Sequence, residues 1–157
     1  MLARKAIECI AAGMEFDAIV EAIENYRVKT TRLLFILEHM DNLVNNGRVS
    51  KLAGSLAGLL GIRILGRASD EGTLDLLHKL RGKFTVYNKC AEEMFERGFK
   101  GGRVVISHCL NQEKADYLRN KILEKYPQSE VIIMPTCGLC GYYAERNGML
   151  IGYEVEE

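Results

Sequence analysis

RVVISHCLNQEKADYLRNKILEKYPQSEVIIMPTCGLCGYYAERNGMLIGY, residues 103–153, alternates two kinds of pattern. Residues 103–107 (RVVIS) and 130–134 (EVIIM) are short apolar runs rich in β-branched side chains, as buried strands require. Residues 112–126 between them read as a helix, with Asn111 as its N-cap and Pro127 as its stop. Pro135 and Thr136 break the second strand, a helix opens near Cys137 and runs to about Arg146, and Asn147-Gly148 turns the chain into a last strand over residues 149–153. Strand, helix, strand, helix, strand predicts an α/β layer.

Working outward toward the N-terminus, residues 80–97 read as a long amphipathic helix. Before it, residues 62–67 (IRILGR) and 73–77 form two strands around the turn Asp70-Glu71-Gly72, an antiparallel pair. Leu52, Ala53, Leu56, Leu59 and Leu60 fall at helical spacing, so residues 49–60 are expected to be a helix closed by Gly61. Residues 31–37 (TRLLFIL) are a β-type run, and residues 40–44 form one or two helical turns before Asn45-Asn46-Gly47. Leu2, Ala6, Ile7 and Ile10 mark a first helix stopped by Gly13, and a second begins at Asp17 or the residue before it, with Ile19, Val20, Ile23 and Tyr26 as its stripe. The expected architecture is α/β in the mixed α+β sense: one domain over 1–157, a mixed sheet with helices packed on it over 31–157, and a helical lead-in over 1–30.

Composition narrows the function classes. With 48% hydrophobic residues and 21 basic against 21 acidic side chains, the formal net charge is zero, which gives no electrostatic argument for nucleic acid. The longest apolar run, residues 52–62, contains three glycines and a serine and falls short of the roughly 20 residues that span a bilayer. Arg4, Lys5 and Glu8 interrupt the N-terminal stretch where a signal peptide would be uniformly apolar. A soluble, cytoplasmic chain with five reduced cysteines is expected.

DNLVNNGRVSKLAGSLAGLLGIRILGRASDEGTL, residues 41–74, resembles the DegV family, in which a Gly-Gly-Arg-Ile-Ser-type turn leads into a small-residue helix and then a strand-turn-strand. The basic cluster Lys79 to Lys83, the strand over 104–108 and NGMLIGYE at 147–154 follow in the order and spacing of that family's C-terminal domain. The resemblance implies a protein that binds one long-chain fatty acid between an N-terminal and a C-terminal domain, and that presents the carboxyl group to a separate kinase without being an enzyme itself. It implies no cofactor beyond the fatty acid as ligand. The family's N-terminal motifs, Asp-Ser-Thr/Ser and Ser-x-x-Leu-Ser-Gly-Thr, do not occur in the 157 residues, so the chain is expected to be the C-terminal half without its sister domain. An uncovered half predicts self-association as a homodimer, or a separately encoded partner.

The resemblance carries Arg48 over as the head-group contact, since it stands in Gly47-Arg48-Val49-Ser50 and a guanidinium fork holds a carboxylate bidentately. Without the family, Arg48 reads more readily as a surface arginine that caps or pairs locally. Many members have His-x-Gly-Pro-Gly facing the head group. Here the aligned stretch is Tyr143-Ala144-Glu145-Arg146-Asn147-Gly148, which puts Tyr143 in the place of the histidine. Lys51 is a candidate partner-facing charge, and Gly54-x-x-x-Gly58 offers a smooth surface either to the core or to an acyl chain.

Two other readings stay open. Cys137-x-x-Cys140 follows a strand at a helix start, where the dipole activates a thiol, but only 17 residues follow, too few to complete a thioredoxin fold. The ends of neighbouring parallel strands also bring His108 and Cys109 toward Cys137 and Cys140 as a four-ligand zinc set, against which stands the ordinary role of buried thiols as small apolar residues. The remaining reading is an interaction module that has lost its ligand.

Overall fold

The computed structural model describes residues 1–48 and 61–156. They are organised by a six-stranded mixed sheet in the spatial order β3-β2-β1-β6-β4-β5. The strands are β1 (Thr31–Leu37), β2 (Ile62–Ala68), β3 (Leu74–Arg81), β4 (Arg103–His108), β5 (Glu130–Pro135) and β6 (Met149–Glu154). Of the neighbouring pairs only β4 and β5 run parallel, the chain passing from one to the other through the crossover helix α5 (Gln112–Lys125). The other neighbours run antiparallel.

Period-two alternation splits each strand between the two faces of the sheet. Leu34 and Ile36, Val104 and Ile106, and Met149, Ile151 and Tyr153 all point to one face and are buried there. They meet Val86, Tyr87, Cys90 and Met94 of α4 (Thr85–Glu96) and Ala115, Leu118 and Ile122 of α5. Each fully buried large side chain in this layer contributes about 1.5–3 kcal/mol by its transfer from water.

The other face carries the intervening residues. At one end it is covered by two short helices, α3 (Asp41–Asn45) and α6 (Gly138–Ala144), over a small cluster of Phe35, Leu37, Leu43 and Ile64 that Tyr143 and Leu150 join. Gly66 makes this packing possible. The Phe35 ring lies across it, and a Cβ there would stand 2.2 Å from Phe35 Cζ. At the other end α1 (Leu2–Ala11), α2 (Phe16–Asn25) and a π-helical turn (Tyr26–Thr30) lead into β1.

A polar clamp fixes this lead-in to the sheet. The backbone N–H of Arg103 donates to Glu154 Oε2 (2.6 Å), and its guanidinium reaches Glu8 (2.8 Å) on α1 and Glu130 (3.1 Å) on β5. Tyr26 donates its hydroxyl hydrogen to Glu154 Oε1 (2.5 Å). Burial, and then that carboxylate, push the Tyr26 phenol up to about 12.

Three elements differ from the sequence reading. β3 extends to Arg81, and α4 begins only at Thr85, so the helix expected over 80–97 is shorter by its first turn. Leu80 and Arg81 pair with Arg63 and Ile62, and Gly82, at φ +108°, ends the strand. The last helix stops at Ala144 and not near Arg146, because Glu145 and Asn147 take left-handed φ values of 53° and 68°. Asn111 does occupy the N-cap position of α5, but its side chain makes no capping bond. Its amide nitrogen donates to the Tyr87 hydroxyl (3.1 Å) and the Asn147 carbonyl (2.8 Å). The helix expected over 49–60, with Lys51 and the Gly54–Gly58 pair, lies outside the described residues.

Candidate functional site

Beyond the reach of α3 and α6, the second face of the sheet is open. Leu33, Val105, Ser107, Leu150 and Gly152 form the floor of a groove of about 650 Å³, within the range of small-ligand sites. Met1, Leu2 at the start of α1, and Arg27 and Val28 of the π-helical turn wall one side, and the β2–β3 tip at Ser69, Asp70 and Gly72 walls the other. Leu33 is 40% exposed despite its central strand. Leu150 belongs both to this floor and to the cluster beneath α3 and α6, so one apolar track runs from the covered end to the open one.

The covered end places the two residues singled out for a head group on adjoining elements. Tyr143 on α6 is half-buried against the Phe35 cluster, and its ring meets that of Tyr142 edge-on at 5.1 Å between centroids. Arg48 is exposed at the end of the turn after α3, where its backbone N–H donates to the Leu43 carbonyl (2.9 Å). α3 and α6 are held together by Asn42, whose backbone N–H donates to Glu145 Oε1 (2.8 Å) and whose side chain donates to the Tyr142 carbonyl (2.8 Å). The segment that would present Arg48 is thus anchored to the segment that carries Tyr143.

Beneath this end lies a polar knot that the sequence reading missed. Glu38, just past β1, has a side chain only 13% exposed and pairs with the guanidinium of Arg63 from β2. Asn147 donates to its other oxygen (3.0 Å), and Lys114 of α5 approaches at 3.8 Å. Arg63 also donates to the Gly82 carbonyl (2.9 Å). The available signal was the charge in the second position of IRILGR, which a buried central strand tolerates only with a partner.

The proposed zinc ligands are not assembled. Both ring nitrogens of His108 are engaged: Nδ1 accepts from the Asn111 backbone N–H (3.1 Å), and Nε2 donates to Gln112 Oε1 (2.9 Å). Cys109 directs its thiol at the Gly141 carbonyl (3.8 Å), while Cys137 and Cys140 are exposed. No group of three or more metal-ligating side chains occurs among the described residues. The redox and zinc readings gain no support.

A mixed six-stranded sheet with α4 and α5 on one face and an apolar groove on the other places the chain in the α/β fold class. The family model described as "Uncharacterised protein, DegV family" matches residues 1–155, and the chain belongs to that family. A DegV domain-containing protein of Streptococcus pneumoniae is 44% identical over 156 residues, 99% of this chain and 55% of the relative. Among solved structures, the Fatty Acid Kinase (Fak) B3 protein of the same species, loaded with linoleic acid, superposes with a TM-score of 0.93 at 44% identity, covering 99% of this chain and 55% of its own. A DegV family protein from Eubacterium eligens loaded with heptadecanoic acid gives a TM-score of 0.92 at 36% identity, over 99% and 56%. The chain therefore spans about half the length of the curated relatives it matches. No helix among the described residues is long and apolar enough to cross a membrane.

Proposed function

We propose that this chain supplies the C-terminal wall of a fatty-acid-binding site and acts by binding, with no catalytic step of its own. The observation that carries the reading is the apolar track from Tyr143 and Leu150, beneath α3 and α6, to Leu33 and Val105 in the open groove, on a sheet whose other face packs against α4 and α5. In this reading the acyl chain lies along the track, and its carboxyl group sits at the α3–α6 end. Arg48 grips it with a charge-assisted pair, Tyr143 stands beside it, and Lys51 faces a partner. The likeness to linoleate- and heptadecanoate-loaded structures supports the ligand class, and the name of the first supports a fatty-acid kinase as the partner that receives the carboxyl group. The length by which the relatives exceed this chain supplies the second wall; a second copy of the chain is the alternative cover. The setting is cytoplasmic.

Native mass spectrometry of the purified chain, beside a solvent extract of it, tests the reading. A co-purified long-chain fatty acid is expected, in a monomer or a dimer. Arg48→Ala should then weaken binding about tenfold, the loss of one hydrogen-bonded charge pair, and Gly152→Phe should abolish it by filling the floor while the chain stays folded. Acyl binding indifferent to Gly152→Phe would place the lipid elsewhere and overturn the proposal.

A further inference from the structure

The ladder between β1 and β2 ends at Leu34 and Arg67, although β1 begins at Thr31 and β2 continues to Ala68. Past that point hollows lie on both faces of the sheet. One is the groove. The other, about 530 Å³, shares Val28, Arg32, Leu33, Ala68 and Asp70 with it and is lined on the helix side by Arg67, Arg97 and Tyr153.

Tyr153 is fully buried, and its hydroxyl has no hydrogen-bond partner among the described residues. A buried hydroxyl left unpaired is costly and uncommon, which points to a group that completes it. Three guanidinium groups stand around the hollow. Arg67 is engaged with Asp75 (3.3 Å) and Arg97 with Glu93 (2.8 Å). Arg32 has no carboxylate partner among the described residues. It commits only Nη1, to the carbonyls of Val28 (3.1 Å), Lys29 (3.3 Å) and Thr31 (2.8 Å), so Nε and Nη2 remain as donors. Burial, and then the neighbouring Cys90, push the Tyr153 phenol up to about 12, against the opposing pull of Arg97 and Arg32. Besides Asp75 and Glu93, which are held by Arg67 and Arg97, the opposing charge is Asp70, at the rim shared with the groove.

We propose that this basin is an oxyanion subsite, in which a phosphate-type group takes hydrogen bonds from the free edge of Arg32 and from the Tyr153 hydroxyl, within the field of Arg67 and Arg97. The donors fit the ligand. Arginine offers a planar fork to phosphate oxygens, and a phenol with no acceptor has a proton to give. The subsite lies at the open end of the groove, away from Arg48 and Tyr143, and does not depend on the fatty-acid reading.

The test is a titration of the whole chain with inorganic phosphate at constant ionic strength, followed by arginine Nε–H resonances and thermal shift, with chloride as the control. Saturable binding is expected. Arg32→Gln should weaken it about tenfold, as the loss of a hydrogen bond to a charged group does. Tyr153→Phe, which removes only the orphan hydroxyl, should weaken it and leave the fold intact. Asp70→Asn should tighten it, an effect no structural role of Asp70 would produce. If free phosphate is silent while vesicles of phosphatidic acid, but not phosphatidylcholine, bind with the same variant pattern, the phosphate belongs to a lipid head group. A response that tracks ionic strength, or that ignores both Arg32→Gln and Tyr153→Phe, overturns the subsite.

Discussion

Replacing Glu38 by leucine removes one carboxylate and strands the groups gathered on it. The Glu38 side chain is 13% exposed and that of Arg63 is 19%, so solvent screens their pairing little. Lys114, 12% exposed, shares the same carboxylate at 3.8 Å, and Asn147 donates to its second oxygen at 3.0 Å. Breaking a buried pair from one side costs about 3–5 kcal/mol, because the remaining charge stays desolvated and unpaired. Against a total stability of roughly 5–15 kcal/mol, that is a large fraction. Urea denaturation at neutral pH, followed by far-UV circular dichroism, should show the midpoint fall with an unchanged slope. The origin of the loss is checked by a second change. Glu38→Leu combined with Arg63→Met should cost less than Glu38→Leu alone, since the double variant leaves no buried guanidinium behind. A single-variant loss below about 1 kcal/mol, the range of exposed ion pairs, would mean that water reaches the knot and that the reasoning is wrong.

Gly66→Ala should destabilise the chain by about 1–3 kcal/mol or more, since the new Cβ meets the Phe35 ring at 2.2 Å and the Asp75 carbonyl at 2.5 Å; a melting temperature equal to wild type would show that the ring is free to move. Burial raises the Glu93 carboxyl, but hydrogen bonds from His78 and Arg97 outweigh it and hold the group below the usual carboxylate range. A folded pKa below the unfolded one gives stability that is complete above the ordinary carboxyl range and lost as pH falls through the depressed value. The acid limb of the stability profile should therefore be shallower in Glu93→Gln, and superimposable limbs would exclude this pair as its source. Tyr87, buried, has its phenol pushed up to about 12. The neutral phenol thus contributes stability that is present below the unfolded value of about 10 and lost as pH rises through the folded one. Ultraviolet titration should show its phenolate appearing late, and normal titration near pH 10 would contradict its burial.

The strand-helix alternation over 103–153 was legible because its β-branched runs are short and bounded by Asn111, Pro127 and Asn147-Gly148. Where the reading slipped, tertiary pairing overrode local pattern. Leu80 and Arg81 continue an apolar run that suits a helix, yet they pair with β2 because Gly82, at positive φ, comes only after them. Arg48 and Tyr143 were reached only through the family resemblance; nothing in their local spacing marks them. The groove floor stayed hidden for a different reason. Val105 and Leu150 are apolar, like Val104 and Ile151 beside them, so the apolar run at the middle of each strand gives no sign of which face meets helices and which is left open.

That ambiguity has a physical consequence. A strand with one wholly polar face must turn the other inward, whereas β4 and β6 also carry Val105 and Leu150, between Arg103, Ser107 and Glu154, on their second face and gain from cover there too. α4 and α5 cover the first face, burying Val104, Ile106, Ile151 and Tyr153 completely. On the opposite face α3 and α6 reach only as far as Leu150, and Val105, Leu33 and Gly152 are left as the floor of a groove. The helix-side core is packed without anything in that groove, so in the proposed reading stability and ligand binding are set by different faces of the same strands. Substitutions at Ile106 or Ile151 should therefore be felt as unfolding, and substitutions one residue away, at Val105 or Gly152, as lost binding in a folded chain. The apolar strip that remains is the surface a second wall, or a hydrocarbon chain lying between the two walls, would bury.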